Sequence, residues 1–346
     1  MLMRLRNIRL FAMAIATVLI ATSCGGTGNS PQSASPDADC RVIKHEAGKT
    51  EVCGQPENVV VLGPNVLELL LALGVQPAGF ADQMAFHQGK YDNPSQQIPY
   101  LGDRVKSQPA NVGLTYTPSI EAILNTQPDL IVGSQWLEKE YGNLSEIAPT
   151  LLLEWFDVEG NLQAIAQALG RPELAEGAIA KRQEKIANAR KKLAPAVKTN
   201  PKVLMLTASN LQEMVLITEG NSFCGSLMKD LGFELIYPPG IDRQDANLRP
   251  PLSLEVLPQF NEADSAIVLG YNFKDSSQLE GMEDFQERQL SGIEKSWQEN
   301  AIAQSLDASK AGRVYFIPAY LCLGLPGPIG TELYLKELET QLLPSQ

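Results

Sequence analysis

Cysteine and histidine are the residue types in this chain that could form disulfides, bind a metal ion or act as nucleophiles. The chain has five cysteines but only two histidines, His45 and His87, which lie far apart in the sequence. This distribution weakens the case for a catalytic triad or a histidine-rich metal site. The motifs G-x-S-x-G, H-E-x-x-H, G-x-G-x-x-G and the phosphate-binding P-loop are absent from the sequence. We therefore do not expect an enzyme, although a pair of carboxylates that meets only in the folded protein stays open.

Residues 1–23 have the pattern of an export signal. A positively charged start is followed by an apolar run at 10–20 and then by the small residues at 21–23. The positive charges are those of Arg4, Arg6 and Arg9. The apolar run is short for a membrane-spanning helix.

Cys24 follows the small residues directly, and this junction resembles a bacterial lipobox with Ala21 where leucine is more usual. The resemblance implies cleavage before Cys24 and lipidation of its thiol; an ordinary signal peptide is the alternative. Residues 24–39 are rich in Gly, Ser and Pro and predict a flexible linker between a lipid and a folded body.

The other cysteines, Cys40, Cys53, Cys224 and Cys322, suggest two disulfides in an exported protein and can pair in three ways. Cys40 and Cys53 flank a segment that predicts a small hairpin turning near residues 46–49. We favour Cys40–Cys53, a loop closure that stabilises by about 3 kcal/mol, and this pairing leaves Cys224–Cys322. A metal site is the alternative, but there is no C-x-x-C motif and no histidine near Cys224 or Cys322.

The size and charge of the chain restrict its class. The 346 residues suggest two domains, and the formal net charge is −12. A surface this acidic repels phosphate backbones, so we expect no nucleic-acid partner. Only the N-terminal segment is apolar enough to enter a membrane, which excludes a polytopic membrane protein.

The elements that must position any site follow a strand–helix–strand pattern. An apolar run at 58–62 predicts a buried strand, and a helix follows in which Asn65 is the expected N-cap and Glu68 the acid of a capping box. Another helix opens at 117–119 and precedes a strand at 130–132. Alternation of this kind predicts a parallel sheet wrapped by helices.

The second half repeats the pattern in degenerate form. Strands are predicted at 214–218, 233–236 and 266–269, with helices opening at 223 and 252. Between the halves, residues 173–194 are rich in Ala, Glu, Lys and Arg and predict a long helix that ends at Pro195. An ordinary surface helix is the alternative, but its mid-chain position favours a rigid connector.

The order of these segments resembles the helix-linked substrate-binding proteins of bacterial ABC importers, which bind ferric siderophores, cobalamin or haem. The resemblance covers about residues 40–340 and is nearest to the iron(III)-siderophore subgroup, of a cyanobacterial type. It rests on the segments 57–82, 117–133, 173–194, 253–270 and 312–338.

The resemblance implies an α/β fold of two similar lobes with mostly parallel sheets, joined by one long rigid α-helix, with the ligand cleft between the lobes. The expected boundaries are an N-terminal lobe with the disulfide-closed hairpin at 40–160, a connector segment at 161–197 and a C-terminal lobe at 198–346. A connector of this kind permits only small lobe movements.

The resemblance also implies partners and site residues. One glutamate of each lobe, Glu121 and Glu255 by the matching segments, would pair with arginines of the permease dimer that works with an ATPase; helix capping is the alternative role. A bulky ferric siderophore favours aromatic walls and basic residues. In loops after strands, the candidates for ligand contact are Arg104, Tyr116, Trp136, Arg243, Arg249, Tyr271 and Tyr320.

We thus expect a monomeric, lipid-anchored receptor on the outer face of a bacterial cell membrane or in a periplasm. It would capture an iron(III)-siderophore complex, need no cofactor and hold no metal ion directly. Cobalamin and haem remain alternative ligands, and an exported enzyme or an adhesion lipoprotein are the alternatives from other classes.

Overall fold

The computed structural model describes residues 39–245, 249–273 and 281–343, all within one compact unit that comprises Asp39–Gln346. The expected export signal, the lipidation site Cys24 and the linker up to residue 38 lie outside the described residues. Within those described ranges, no helix has the length and apolar character needed to cross a bilayer.

A disulfide-closed hairpin begins the described chain. Strands β1 (Cys40–His45) and β2 (Gly48–Cys53) pair antiparallel with Cys40 opposite Cys53, and these two cysteines form a disulfide. Ile43 and Val52 are the buried residues that attach the hairpin to the core beside it. The Arg41 side chain donates hydrogen bonds to the carbonyls of Gln167 and Ala168 at 2.5 and 2.6 Å, and so fixes the hairpin to the end of a neighbouring helix.

The first lobe, here called the N-lobe, contains the hairpin and one six-stranded sheet. The sheet order is β6-β5-β4-β3-β7-β8, and every pairing is parallel except that of β5 with β6. Its central strands are buried on both faces, which explains why they are continuous apolar runs. The elements are β3 (Val59–Leu62), α1 (Pro64–Ala72), β4 (Gly79–Asp82), α2 (Pro94–Gln97), β5 (Ala110–Leu114), β6 (Thr117–Pro118), α3 (Ile120–Asn125), β7 (Leu130–Ser134), α4 (Tyr141–Ser145), β8 (Thr150–Leu153) and α5 (Val158–Ala168).

The connector is α6 (Glu173–Thr199), a helix of 27 residues that leads from the N-lobe into the second lobe. The expected end at Pro195 is wrong, because Pro195 lies inside the helix. A proline in a helix removes one backbone hydrogen bond. The bond lost is the one to the carbonyl of Lys191, in the preceding turn. In the last turn of the helix, Thr199 Oγ1 donates to the Pro195 carbonyl at 3.0 Å.

The second lobe, here called the C-lobe, holds another six-stranded sheet. Its main order is β12-β10-β9-β13-β14, with β11 also paired to β9. Strands β9, β11, β13 and β14 are parallel, whereas β10 and β12 pair antiparallel at one edge. The elements are β9 (Lys202–Ala208), β10 (Met214–Leu216), α7 (Phe223–Leu231), β11 (Glu234–Leu235), β12 (Pro251–Leu252), β13 (Ser265–Gly270), α8 (Met282–Glu299), α9 (Ala301–Ser305), α10 (Asp307–Lys310), β14 (Val314–Pro318) and α11 (Pro328–Leu342).

The last helix, α11, bridges the two lobes alongside the connector. Ile329, in its first turn, and Leu325, just before it, belong to the N-lobe core, while Leu335 and Leu338 belong to the C-lobe core. Polar contacts attach it to α6, among them the ion pair of Lys192 with Glu339 and a hydrogen bond from Arg182 to Thr331. The expected connector α6 is therefore accompanied by a second helix that packs on both lobes.

The expected N-cap of α1 is also wrong. The helix begins at Pro64, after Gly63, and no side chain caps it. Asn65 and Glu68 lie inside the helix and are buried. The Glu68 carboxylate instead accepts hydrogen bonds from backbone N–H groups at the start of α11.

Candidate functional site

The parallel strands of both lobes place their carboxyl ends where α/β sheets bind ligands. The loops that follow these ends carry most of the candidate residues. Trp136 follows β7, in a short 3₁₀ helix, and Tyr116 lies in the turn after β5. Tyr271 follows β13 directly, and Tyr320 lies in the 3₁₀ turn Ala319–Leu321 after β14.

A cavity of about 390 Å³ lies at these strand ends and takes residues from both lobes. Its volume falls within the usual range for small-molecule sites, about 300–1,000 Å³. It brings together Arg249, Tyr271 and Tyr320 among the sequence candidates and adds Phe273, which sequence reasoning missed. The full lining is Gln83, Thr207, Val215, Arg249, Tyr271, Phe273, Ala319, Tyr320, Leu323 and Gly324.

Aromatic packing across the lobes holds Tyr320 in place. Its ring stacks on Tyr100 of the N-lobe at a centroid distance of 5.6 Å and meets Phe285 of α8 edge-on at 5.3 Å. Phe273 contacts both Phe285 and Tyr320, at 6.1 Å each. Offset and edge-on pairs of this kind stabilise a fixed arrangement, so the back of the cavity is preformed.

Tyr100 is the N-lobe part of this packing, and its backbone is strained. Its φ is 59°, a left-handed conformation that is unfavourable for a bulky residue. The buried Gln289 side chain donates to the Tyr100 hydroxyl at 3.4 Å and accepts from the Tyr320 backbone N–H at 3.2 Å. One amide of α8 thus links the N-lobe tyrosine to the cavity wall of the C-lobe.

Arg249 supplies the positive charge at the cavity. It is exposed, and its guanidinium lies 5.9 Å from the ring of Phe156, which follows β8 of the N-lobe. This distance is at the limit of a cation–π contact. Phe156 is itself 43% exposed, an unusual state for a large apolar ring. Arg249 and Phe156 therefore face one another across the opening between the lobes.

The other sequence candidates lie outside this cavity. Arg104 forms an ion pair with Glu332 of α11 at 3.3 Å, so it contributes to the contact between the lobes. Arg243 packs over the ring of Tyr237 at 4.9 Å. Tyr116 and Trp136 are 50% and 57% exposed and line no part of the cavity.

Asp82, at the end of β4, is a buried acid next to the cavity residue Gln83. Burial raises its pKa to about 7. One carboxylate oxygen accepts from the Gln83 N–H at 2.7 Å, while the other has no hydrogen-bond partner in the described part of the chain. Burial and the negative charge of Asp82 together raise the pKa of the Tyr320 hydroxyl well above its ordinary value.

The candidate docking residues occupy equivalent places in the two lobes. Each follows a two-residue edge strand, β6 or β12, and a serine N-cap, at the second position of the next helix. Glu121 and Glu255 are both exposed, and no ion pair or hydrogen bond of either carboxylate occurs among the described residues. The Ser119 hydroxyl caps α3 by accepting from Ala122 N–H at 3.2 Å, so Glu121 is not needed as a cap.

A larger depression of about 840 Å³ lies within the N-lobe between β5, α3 and residues 88–92. We favour the smaller cavity as the site, because it joins both lobes at the strand ends and has aromatic walls. No group of three or more His, Cys, Asp or Glu side chains with the geometry of a metal site occurs in the ranges that the structure describes. The second disulfide, Cys224–Cys322, joins α7 to the turn after Tyr320 and so supports the cavity wall.

A preformed cavity shared by two helix-linked α/β lobes defines a binding protein that encloses a small molecule. The family model described as "Periplasmic binding protein" matches residues 59–321, and the chain belongs to this family.

Individual relatives support the assignment. The "Probable siderophore-binding lipoprotein YfiY" of Bacillus subtilis is 30% identical over 66% of this chain and 68% of its own length. The "Fe(3+)-citrate-binding protein YfmC" of the same organism is 27% identical over 89% of this chain and 88% of its own. The solved structure of Staphylococcus aureus SirA complexed with staphyloferrin B is 26% identical, has a TM-score of 0.68, and covers 87% of this chain and 98% of its own.

Proposed function

We propose that this protein is the substrate-binding receptor of an ABC importer and that it captures an iron(III)-siderophore complex between its lobes. The observation that carries the proposal is the cross-lobe cavity with Tyr271, Phe273 and Tyr320 as walls and Arg249 at its opening. Aromatic walls suit the bulky organic part of a chelate, and an arginine suits its oxygen atoms. Relatives named for siderophore and ferric-citrate binding support the same class of ligand.

Delivery to the membrane would use Glu121 and Glu255. Their equivalent places on the two lobes suit a permease built from two similar subunits, each offering an arginine. Exposed carboxylates in the first turn of a helix are favoured by the helix dipole and remain available to a partner. Exposed ion pairs of this kind steer association and fix its orientation more than they add affinity. An ATPase bound to the permease would supply the energy for import.

The N-terminal segment would direct export, and lipidation of Cys24 would anchor the receptor to the bacterial cell membrane. The segment 24–39 would then be the tether of a monomeric receptor. Labelling of cells with a radioactive fatty acid tests the anchor, since Cys24→Ser should abolish label in the protein.

Tryptophan fluorescence tests the ligand. The unit 39–346 would be titrated with ferric siderophores of several classes, ferric citrate, haem and cobalamin. We expect saturable quenching with a sub-micromolar Kd for an iron chelate and none for its metal-free form. Trp155 lies directly before Phe156 at the opening between the lobes and can report binding, whereas Trp297 is buried in the C-lobe and provides a constant background. Saturation by haem or cobalamin alone would overturn the siderophore assignment, and silence throughout would overturn the receptor role.

A further inference from the structure

The charges around the cavity restrict which ferric chelate it can enclose. We propose that the ligand is a chelate with at most one net negative charge, of the kind that hydroxamate groups form, and not a triscatecholate. This inference rests on the proposed receptor function and deepens it.

The first step is the charge of the cavity wall. Among the described residues that line it, Arg249 is the one with a charged side chain. The others are aromatic, aliphatic or neutral polar, such as Tyr271, Phe273 and Gln83. The candidate arginines Arg104 and Arg243 do not line the cavity, and their side chains contact Glu332 and Tyr237.

The sequence next to the cavity adds no net positive charge either. Residues 274–280, which follow Phe273, contain one lysine against two acids, and residues 246–248, which precede Arg249, contain no charged residue. The cavity therefore cannot gain several cations from these neighbouring segments.

The second step is the negative charge close by. Asp82 is buried directly before the lining residue Gln83, and its charge acts on Tyr320 in the opposite wall. An acid at this place opposes the entry of a strongly anionic ligand.

The third step is the charge of the chelate. Three hydroxamates carry three negative charges and neutralise Fe³⁺, whereas three catecholates carry six and leave three uncompensated. Burial of an ion in a protein is costly unless an opposite charge accompanies it. Arg249 can compensate one negative charge and would leave two of a triscatecholate without a partner.

The test is a comparison of two chelates of similar size on the full chain in detergent. The probes are a neutral ferric trihydroxamate and a ferric triscatecholate, and tryptophan quenching measures the binding of each. We expect the triscatecholate to bind at least about a hundredfold more weakly than the trihydroxamate. The Kd for the neutral chelate should change less than about twofold when salt is raised from about 0.05 M to about 0.5 M.

A charge added to the wall provides the matched control. Gln83→Arg should strengthen triscatecholate binding by about tenfold relative to trihydroxamate binding, whereas Gln83→Met should leave this ratio unchanged. Removal of the charge is the converse test. Arg249→Gln should weaken the binding of a singly negative citrate–hydroxamate chelate about tenfold more than the binding of the neutral chelate. Arg249→Lys keeps the positive charge and should largely preserve the binding of the singly negative chelate.

The two levels of the proposal fail in different ways. If the triscatecholate binds as tightly as the trihydroxamate, the charge inference is overturned while the receptor function stands. If neither chelate nor the citrate–hydroxamate complex binds, the charge inference is overturned, and the receptor function is overturned as well only when the whole panel named above is silent.

Discussion

Glu68 of the N-lobe and Gly327 of the C-lobe lie 259 positions apart in the chain, and the Glu68 carboxylate accepts the Gly327 N–H at 2.5 Å. Its second oxygen accepts from Gly330 at 2.9 Å. These N–H groups belong to the start of α11, where no side chain of the helix itself acts as a cap. A carboxylate at this place satisfies donors that would otherwise be buried without a partner and interacts favourably with the helix dipole. One side chain of α1 thus fixes the second bridging helix.

Removal of this cap should destabilise the protein. We expect Glu68→Ala to lower the free energy of unfolding by about 2–4 kcal/mol, because two buried N–H groups lose their acceptor. Glu68→Gln keeps one acceptor oxygen and should cost about 1 kcal/mol. Urea unfolding measures both, with the exposed Glu176→Ala of α6 as a control that should change little. A loss below about 1 kcal/mol for Glu68→Ala would show that water replaces the cap.

Asp82 should make stability depend on pH. Burial raises its pKa to about 7 from its ordinary value of 3.8, so the folded protein holds this proton more tightly than the unfolded chain does. The stability it contributes is fully present below pH 3.8 and is lost as pH rises through about 7. Asp82→Asn should remove this dependence.

Unfolding at several pH values would measure the effect. Relative to Asp82→Asn, the wild-type free energy of unfolding should fall by about 1–3 kcal/mol between pH of about 4.5 and about 8. Burial also raises the pKa of Glu68 to about 7, which makes the stability of both proteins fall with rising pH. Because this contribution is the same in both proteins, the difference between them isolates the contribution of Asp82. Parallel curves for the two proteins would contradict the assignment.

The docking proposal predicts a loss of transport without a loss of binding. Glu121→Gln and Glu255→Gln should each reduce stimulation of the permease ATPase about tenfold, and the double variant should nearly abolish it. The Kd for the ferric chelate should stay unchanged, because neither residue lines the cavity. Glu173→Gln, an exposed acid in the first turn of α6, is the matched control. Equal effects of all three substitutions would indicate a general charge effect.

The arginines and aromatic residues should separate into two groups by their effect on affinity. Tyr271→Ala, Phe273→Ala and Arg249→Ala should each weaken chelate binding about tenfold or more. Arg104→Ala should leave the Kd within about twofold, since Arg104 contacts Glu332 outside the cavity. Fluorescence titration measures all four; a large effect of Arg104→Ala alone would place the ligand elsewhere.

The two disulfides should differ in their contribution to the free energy of unfolding and in their accessibility to a reductant. Cys224–Cys322 closes a separation of 98 residues and Cys40–Cys53 one of 13. In the chain-entropy model their removal costs about 4–5 and about 3 kcal/mol. Dithiothreitol should reduce Cys40–Cys53 first, because Cys40 and Cys53 are exposed and the other pair is buried. Mass spectrometry after alkylation shows the order, and the reverse order would contradict it.

Much of the N-lobe is predictable from local pattern. Parallel strands buried on both faces form continuous apolar runs, and β3 and β7 were predicted from theirs. Strand β9, the centre of the second sheet, has the same kind of run at Lys202–Ala208 and was overlooked. The resemblance supplied the arrangement of the lobes, which no local pattern contains.

The site was only partly predictable for a physical reason. A residue directly after a strand, such as Tyr271, stays near the strand end, so the rule that ligands bind at strand ends locates it. Arg104 lies in a long connection between β4 and β5 that returns towards α11, and sequence does not show such a path. Glu68 was assigned to its own helix because an acid at that spacing is typical of a capping box, while its true partner is distant in the chain.

The bridging position of α11 also bears on the order of biosynthesis. The N-lobe core includes Tyr320, Leu325 and Ile329, and the cap from Glu68 needs Gly327. A ribosome or translocation channel that holds back these late residues therefore withholds the groups that complete the first lobe. For a chain exported by residues 1–23, as we propose, this arrangement delays stable folding until nearly the whole polypeptide has emerged. The same contacts that join the lobes would thereby keep the precursor unfolded enough to be threaded through the membrane.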